Sequence, residues 1–81
     1  MLTTAVESTT LALVAYDGAG EVLWLEFQNH AVYCYFGVPA AVHHELLAAN
    51  SKGAYFNRYI RDRFPYQKVP HWPVFLPTTT R

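Results

Sequence analysis

Two tyrosines separated by a single cysteine, in the segment VYCYF, are the first residues whose types and spacing could do chemistry. Tyr33 and Tyr35 share one face of a strand, because side chains alternate with a period of two. If the rings point outward, they could stack on unpaired nucleic-acid bases, at about 1–3 kcal/mol per base. The alternative is a partly buried layer of cross-strand pairs, since aromatic residues favour sheets in any case.

The basic residues are concentrated in one part of a chain whose net charge is zero. Residues 1–51 contain no Lys or Arg, whereas residues 52–68 contain one acid, Asp62, and five cations: Lys52, Arg58, Arg61, Arg63 and Lys68. A ridge formed by Lys52, Arg58 and Arg61 along a helix could follow a phosphate backbone. The alternative is a solvated helix face on which Arg58 pairs with Asp62.

Catalysis, a cofactor and a metal site are not indicated. Cys34 as a nucleophile would need a neighbouring base and exposed, electropositive surroundings, whereas its position in an apolar strand predicts burial. His43, His44 and Glu45 are adjacent in sequence and point about 100° apart on a helix, without the spacing of a helical zinc motif. No paired carboxylates or Ser-His-Asp order is present. The sequence therefore predicts a protein that is not an enzyme.

The elements that must position these residues follow an α+β pattern. Apolar, β-prone runs at residues 9–16, 21–28 and 31–36 predict three strands, separated by a glycine-rich turn and by a two-residue turn at Asn29-His30. The three strands and the short turns between them predict a three-stranded antiparallel meander. Helices from Pro39 to about Ala49, and from about Ser51 to Arg63 or Phe64, follow the strands, with Ser51 as a cap.

Both helices are expected on one face of this sheet, in the order β-β-β-α-α. Their apolar stripes, which include Leu46, Phe56 and Ile60, should cover the face that carries Leu23 and Leu25. His43, by contrast, falls outside the stripe and is expected to face away. Beyond these elements, the proline-rich residues 67–81 predict an extended tail that is too apolar for an ordinary solvated one.

The two-residue turn fixes the expected direction of the tyrosines. It pairs Leu25 with Cys34 and so places Cys34 on the face covered by the helices, while Trp24, Tyr33 and Tyr35 lie on the outer face. That outer face is also apolar. The tail, a second copy of the chain or a ligand is therefore expected to cover part of it.

The order of the motifs is similar to that of the KTSC domain family, named for the C-terminus of some lysyl-tRNA synthetases and also found as stand-alone small bacterial proteins. The resemblance covers residues 7–66 and rests on a VAYD first strand, an L-x-L-x-F second strand, Tyr33-Cys34-Tyr35, Val38-Pro39, Ser51-Lys52-Gly53, Tyr55-Phe56-Asn57 and Ile60-Arg61. For this family a nucleic-acid role, with RNA as the ligand, has been suggested from the link to a tRNA ligase, without an established activity.

Two functional hypotheses follow. The first is a small nucleic-acid-binding module for RNA or single-stranded DNA, with Tyr33, Tyr35, Lys52, Arg58 and Arg61 as the binding residues. The second is a protein-interaction or self-assembly module, including a homodimer, in which the aromatic outer face and the tail bury against another chain through Trp24, Tyr33, Tyr35, Trp72 and Phe75.

Length and composition are consistent with either hypothesis. A chain of 81 residues that is 52% apolar predicts one globular domain spanning residues 1–81. The N-terminus lacks the pattern of a signal peptide, and no run approaches the roughly 20 apolar residues that span a bilayer. Together with the single cysteine, these features predict a cytoplasmic protein that does not associate with membranes.

Overall fold

A five-stranded antiparallel sheet forms the framework of the protein in a computed structural model that describes residues 2–70. Its strands lie side by side in chain order: β1 (Leu2–Ala5), β2 (Leu11–Asp17), β3 (Val22–Phe27), β4 (Val32–Phe36) and β5 (Tyr66–Val69). The α+β class and the three central strands are as predicted, but the three-stranded meander is wrong because β1 and β5 extend both of its edges.

Strand β5 lies at the start of the segment predicted to be a tail. Its four residues pair with β4, and the flanking Pro65 and Pro70 lie outside the strand, where a missing N–H does not interrupt the ladder. Extended backbone was therefore correctly expected at residues 67–69, but not its pairing with the sheet. The rest of the predicted tail, residues 71–81 with Trp72 and Phe75, lies outside the described residues.

Two helical elements connect β4 to β5. Helix α1 (Ala40–Ala48) follows Pro39, and the short helix α2 (Lys52–Tyr55) continues directly into a π-helical turn, the π segment (Phe56–Ile60). The cap predicted at Ser51 is confirmed, since its Oγ accepts a hydrogen bond from the Ala54 N–H at 3.2 Å. The predicted second helix is shorter than expected, and its second half is not α-helical.

The register of β3 and β4 differs by one residue from the prediction. Leu25 pairs with Tyr33 and Leu23 with Tyr35, not with Cys34 and Phe36. The reason lies in the connecting turn.

That turn contains three residues rather than two. The His30 N–H donates to the Phe27 carbonyl at 2.9 Å, and the Phe27 N–H donates to the Ala31 carbonyl at 2.9 Å. His30 itself adopts a positive φ of 73°, the conformation of the extra residue in a bulged hairpin turn. The added residue reverses the face on which every β4 side chain lies.

Consequently, the tyrosines and the cysteine exchange faces relative to the prediction. Tyr33 and Tyr35 lie on the face covered by the helices and contribute to the main core, whereas Cys34 lies with Trp24 on the opposite face. The expected outward orientation of the two rings is therefore wrong. Cys34 is buried, as expected, and burial raises the pKa of its thiol.

The main core lies between this sheet face and the helical elements. The predicted helix residues Leu46, Phe56 and Ile60 are buried there against Leu23 and Leu25. Burial of a side chain of this size contributes about 1.5–3 kcal/mol to stability, so the helical elements are held mainly by this contact. The prediction that the helices cover the Leu23 and Leu25 face is confirmed.

His43 is also buried in the core, although the sequence predicted that it would face away. It is only 2% exposed, and its ring stacks on Tyr16 with centroids 4.6 Å apart. Its Nε2 atom makes no hydrogen bond within residues 2–70, and burial, together with the neighbouring His44, lowers its pKa. Tyr16 donates its hydroxyl proton to the buried Val38 carbonyl at 2.6 Å.

Helix α2 approaches Thr10, the residue directly before strand β2, very closely at Gly53. A Cβ atom added to Gly53 would overlap the Thr10 hydroxyl and lie 3.0 Å from Thr10 Cβ. Glycine is thus favoured here by the close approach of the Thr10 side chain and not by the backbone conformation, since the φ of Gly53 is not in the left-handed region.

No helix within residues 2–70 reaches the length and apolarity that are needed to cross a bilayer.

Candidate nucleic-acid interface

A cleft of about 490 Å³ opens on the helical side of the sheet. It is lined by residues of β3, β4 and β5, of the turn between β3 and β4, and of the π segment and the chain just after it, together with Thr10. This volume falls in the range of about 300–1,000 Å³ that is typical of small-molecule sites. We call it the aromatic cleft, after the rings described next.

Five aromatic side chains from four elements line the aromatic cleft: Phe27, Tyr33, Tyr35, Phe56 and Tyr66. The register of β4 and β5 explains how they meet, because Tyr35 lies directly opposite Tyr66 and directly paired residues point to the same face. The rings of Tyr35 and Tyr66 have centroids 5.6 Å apart, and those of Tyr33 and Tyr66 lie 5.9 Å apart.

Phe56 and Phe27 complete this aromatic lining from the helical side and from β3. The Phe56 ring meets both Phe27 and Tyr35 edge-on, at centroid distances of 5.2 and 5.8 Å. Such edge-to-face pairs contribute about 0.5–1.5 kcal/mol each beyond the area that they bury. The inner part of the cleft is therefore fixed by packing, whereas Tyr66, which is 57% exposed, presents its ring to solvent.

Polar and charged side chains surround these rings: Asn29, Asn57, Arg61, Asp62 and Lys68. Lys68 extends from β5 and pairs with Tyr33, and therefore lies on the same face of the sheet. All five polar residues are exposed. The cleft thus combines an aromatic interior with two cations and one carboxylate at its edge.

The π segment accounts for the position of Arg61. The Arg61 N–H donates to the Phe56 carbonyl at 2.8 Å, five residues back instead of four. This wider turn brings Arg61 round toward the side of Phe56, which lines the cleft. In a regular α-helix, Arg61 would project from the side opposite Phe56, together with Arg58, as the sequence predicted.

Tyr35 is the most perturbed ionisable group of the aromatic cleft. Burial, followed by the proximity of Tyr33 and Tyr66, raises its pKa to about 12, although the nearby Arg61 acts in the opposite direction. Tyr35 therefore keeps its proton at neutral pH and can act as a hydrogen-bond donor. Its hydroxyl makes no hydrogen bond to other groups in the described range 2–70.

The structure brings together three of the five residues that the sequence singled out for binding. Tyr33, Tyr35 and Arg61 line the aromatic cleft. Lys52 and Arg58 do not. Of the three cations in the predicted ridge, Arg61 is therefore the one that lines the cleft.

Lys52 and Arg58 have other contacts. The Lys52 Nζ donates to the Ala49 carbonyl at 3.0 Å and so caps the end of helix α1. The Arg58 guanidinium lies over the Tyr59 ring, 5.6 Å from its centroid, in a cation–π contact. Neither side chain reaches the cleft, and no ion pair joins Arg58 to Asp62 within the described chain.

Tyr66 and Lys68 were not assigned to the binding site from the sequence, because both were placed at the boundary of the tail. The signal that could have found them is the alternation of Tyr66 and Lys68 just after Pro65, which is the period of a strand.

The aromatic surface predicted for the self-assembly hypothesis is not formed by the three strand residues assigned to it. Trp24 lies on one sheet face, and Tyr33 and Tyr35 lie on the other.

A metal site finds no support in the residues that the structure describes. No three His, Cys, Asp or Glu side chains between residues 2 and 70 lie close enough to hold an ion. The contact between His30 and Glu26, with Nδ1 and Oε2 3.8 Å apart, involves an exposed histidine in the turn.

Comparison with known proteins supports the resemblance found in the sequence. The family model of the KTSC domain matches residues 7–64 of this chain. The crystal structure of a KTSC domain protein from Yersinia pestis superposes with a TM-score of 0.81 at 29% sequence identity, covering 84% of this chain and 96% of that chain.

The curated relatives are of two kinds. The lysine–tRNA ligase of Trichormus variabilis is 41% identical over 54 residues, which are 67% of this chain and 10% of the ligase. A small protein of Tsukamurella paurometabola is 41% identical over 59 residues, which are 73% of this chain and 88% of that protein. The chain thus spans about a tenth of the length of the ligases that it matches.

Proposed function

The chain belongs to the KTSC domain family, and we propose that it binds single-stranded nucleic acid, RNA or single-stranded DNA, in the aromatic cleft. The observation that carries the proposal is the meeting of Tyr33, Tyr35 and Arg61 in one cleft, joined there by Lys68. Aromatic rings flanked by cations are the combination with which proteins hold unstacked bases and their phosphates.

The rings define where a base would lie. Tyr66 exposes more than half of its surface and is braced by Tyr33 and Tyr35, so its ring can accept a stacked base without rearrangement of the core. A cleft of about 490 Å³ has room for one nucleotide, not for a duplex. The proposal therefore concerns unpaired bases, in accordance with the general preference of aromatic sites.

The cations define where the phosphates would lie. Arg61 and Lys68 stand at the edge of the cleft, where a backbone could pass while its base enters between the rings. Both side chains are exposed, so the desolvation cost of a contact between them and a phosphate is small. The binding free energy that they contribute should come mainly from counterion release and should therefore depend on salt.

The family context favours RNA. Relatives named lysine–tRNA ligases contain the matching segment as about a tenth of their length. Joining a small cleft of this kind to an enzyme with a tRNA substrate would give that enzyme an additional contact to RNA. On this proposal the chain acts by binding and has no catalytic activity of its own.

A pair of matched arginine variants tests the location of the site. Fluorescence anisotropy of a fluorescein-labelled ten-nucleotide RNA of mixed sequence, in about 50 mM salt, gives the affinity. Arg61→Gln should weaken binding by roughly fivefold to tenfold, because one phosphate contact is lost. Arg58→Gln removes the same charge outside the cleft and should change the affinity less than about twofold.

A second pair of variants tests the stacking. Tyr66→Leu should weaken binding by at least about fivefold, the lower end of the range for a base–aromatic stack. Tyr59→Leu is the control, since Tyr59 is 49% exposed and lies outside the cleft. No binding by the unaltered protein, or equal losses for both members of either pair, would refute the proposal.

A further inference from the structure

Asp62 does not fit a surface that only holds a polyanion, and we infer that it selects guanine among the bases that enter the aromatic cleft. This inference rests on the proposed function and adds base specificity to it. A carboxylate beside a phosphate backbone is repulsive, whereas it can accept hydrogen bonds from a base, and Asp62 lines the cleft together with Arg61.

The position of Asp62 is fixed by the backbone at the end of the π segment. Asp62 has a positive φ of 62°, which turns the chain away from the helical direction directly after Arg61. Asp and Asn tolerate this conformation better than most residues. Asp62 thus lies at the edge of the cleft, and its charge adds to the rise of the Tyr35 pKa that burial causes.

The contacts of the carboxylate leave it available to a ligand. It forms no ion pair with any basic group of residues 2–70, in spite of two cations on the same cleft. It also accepts no hydrogen bond from a side chain or from the backbone in that range. Asp62 and Asn57 both line the cleft.

Guanine is the base whose edge matches a carboxylate. Its N1–H and N2 amino group are two adjacent donors, which a carboxylate can accept with both oxygens at once. Adenine and cytosine each offer only one amino donor beside a ring nitrogen that is an acceptor and would face the second carboxylate oxygen. Uracil offers a single N–H between two carbonyl oxygens, which the carboxylate would repel.

Four heptamers test the inference: fluorescein-labelled UUUUUUU, UUUGUUU, UUUAUUU and UUUCUUU, titrated with the intact chain at about 50 mM salt. The heptamer with guanine should bind at least about fivefold more tightly than each of the other three. Asp62→Asn should reduce this preference to less than about twofold. It should not weaken binding of the all-uridine heptamer, because a negative charge is removed from the site.

Two features make the variant informative. Asparagine accepts the positive φ of Asp62 and has the same shape, so only the charge and one acceptor oxygen change. Glu7→Gln is the control for net charge, since Glu7 is exposed and lies outside the aromatic cleft. It should leave the guanine preference intact.

The outcomes separate this inference from the proposed function. Equal affinity of the unaltered chain for all four heptamers would overturn guanine selection and leave nucleic-acid binding standing. No binding to any heptamer would overturn both. A guanine preference that persists in Asp62→Asn would overturn the role of the carboxylate.

Discussion

The two cations of the aromatic cleft should determine how strongly binding depends on salt. The perturbation is the double variant Arg61→Gln and Lys68→Gln, which removes both positive charges from the cleft and leaves its rings in place. The matched control is Arg58→Gln with Arg63→Gln. It removes two exposed cations from the same segment that do not line the cleft.

The magnitude follows from the number of cations that can meet phosphates. A single-stranded polyanion loses about 0.7 counterions per neutralised phosphate, so two contacts give a slope of about −1.4 in log affinity against log salt. Between about 50 and 200 mM salt, the two contacts of the cleft should therefore weaken binding by about sevenfold. The cleft variant should lose this part of the salt dependence, and the control should keep it.

The assay is fluorescence anisotropy of a labelled ten-nucleotide RNA at four or more salt concentrations. Three proteins are compared: the unaltered chain, the cleft variant and the control. The reasoning would be refuted if both double variants reduced the slope by the same amount. Affinity would then follow the total charge of the segment, and the geometry of the cleft would be irrelevant.

Further predictions concern stability, measured by urea denaturation. Tyr16→Phe should lower the free energy of unfolding by about 1–3 kcal/mol, because it leaves the buried Val38 carbonyl without its donor. The control Tyr55→Phe removes an exposed hydrogen bond and should lower it by less than about 1 kcal/mol. Similar losses of stability in the two variants would contradict this prediction. Because burial lowers the pKa of His43 from 6.5, the unfolded chain takes up the proton first, and stability should fall as the pH drops below about 6.5. His43→Phe should flatten this decline, and an unchanged pH profile would argue against the role of that ring. Gly53→Ala should lower the urea midpoint, because the added methyl group overlaps the Thr10 side chain, and a raised midpoint would disprove the steric account.

The sequence was sufficient for the order of the central elements because each of them carries a clear hydrophobic period. The alternation in β3 and the apolar stripes of the two predicted helices correctly indicated which strand and helix residues meet in the core, including Leu23, Leu46 and Ile60. The capping role of Ser51 was also predictable, since serine is among the residues preferred at the N-cap of a helix.

The direction of the tyrosines could not be obtained in the same way. It depends on whether the turn after β3 contains two residues or three, and therefore on the positive φ of His30. A positive φ is uncommon for residues other than glycine, so local propensity gave no reason to expect the longer turn. One residue in that turn decided whether Tyr33 and Tyr35 faced the helices or the opposite side.

The site was predictable only in part, for two physical reasons. Tyr66 and Lys68 join the cleft through pairing of β5 with β4, a contact between residues more than 30 positions apart that no local pattern encodes. Arg61 joins it through the π turn, which has no clear sequence signal. The prediction of a regular α-helix therefore placed Arg61 beside Arg58 and away from Phe56.

The π turn also relates the direction of Arg61 to the number of residues between it and Phe56. Removing one residue from this stretch would allow a regular α-helix to form with a full set of shorter hydrogen-bonded loops. The arginine would then follow Phe56 by four residues, about 40° away around the helix, and would remain on the side of the cleft. Related chains that differ by a single deletion here are therefore expected to keep both the fold and the capacity to hold a phosphate.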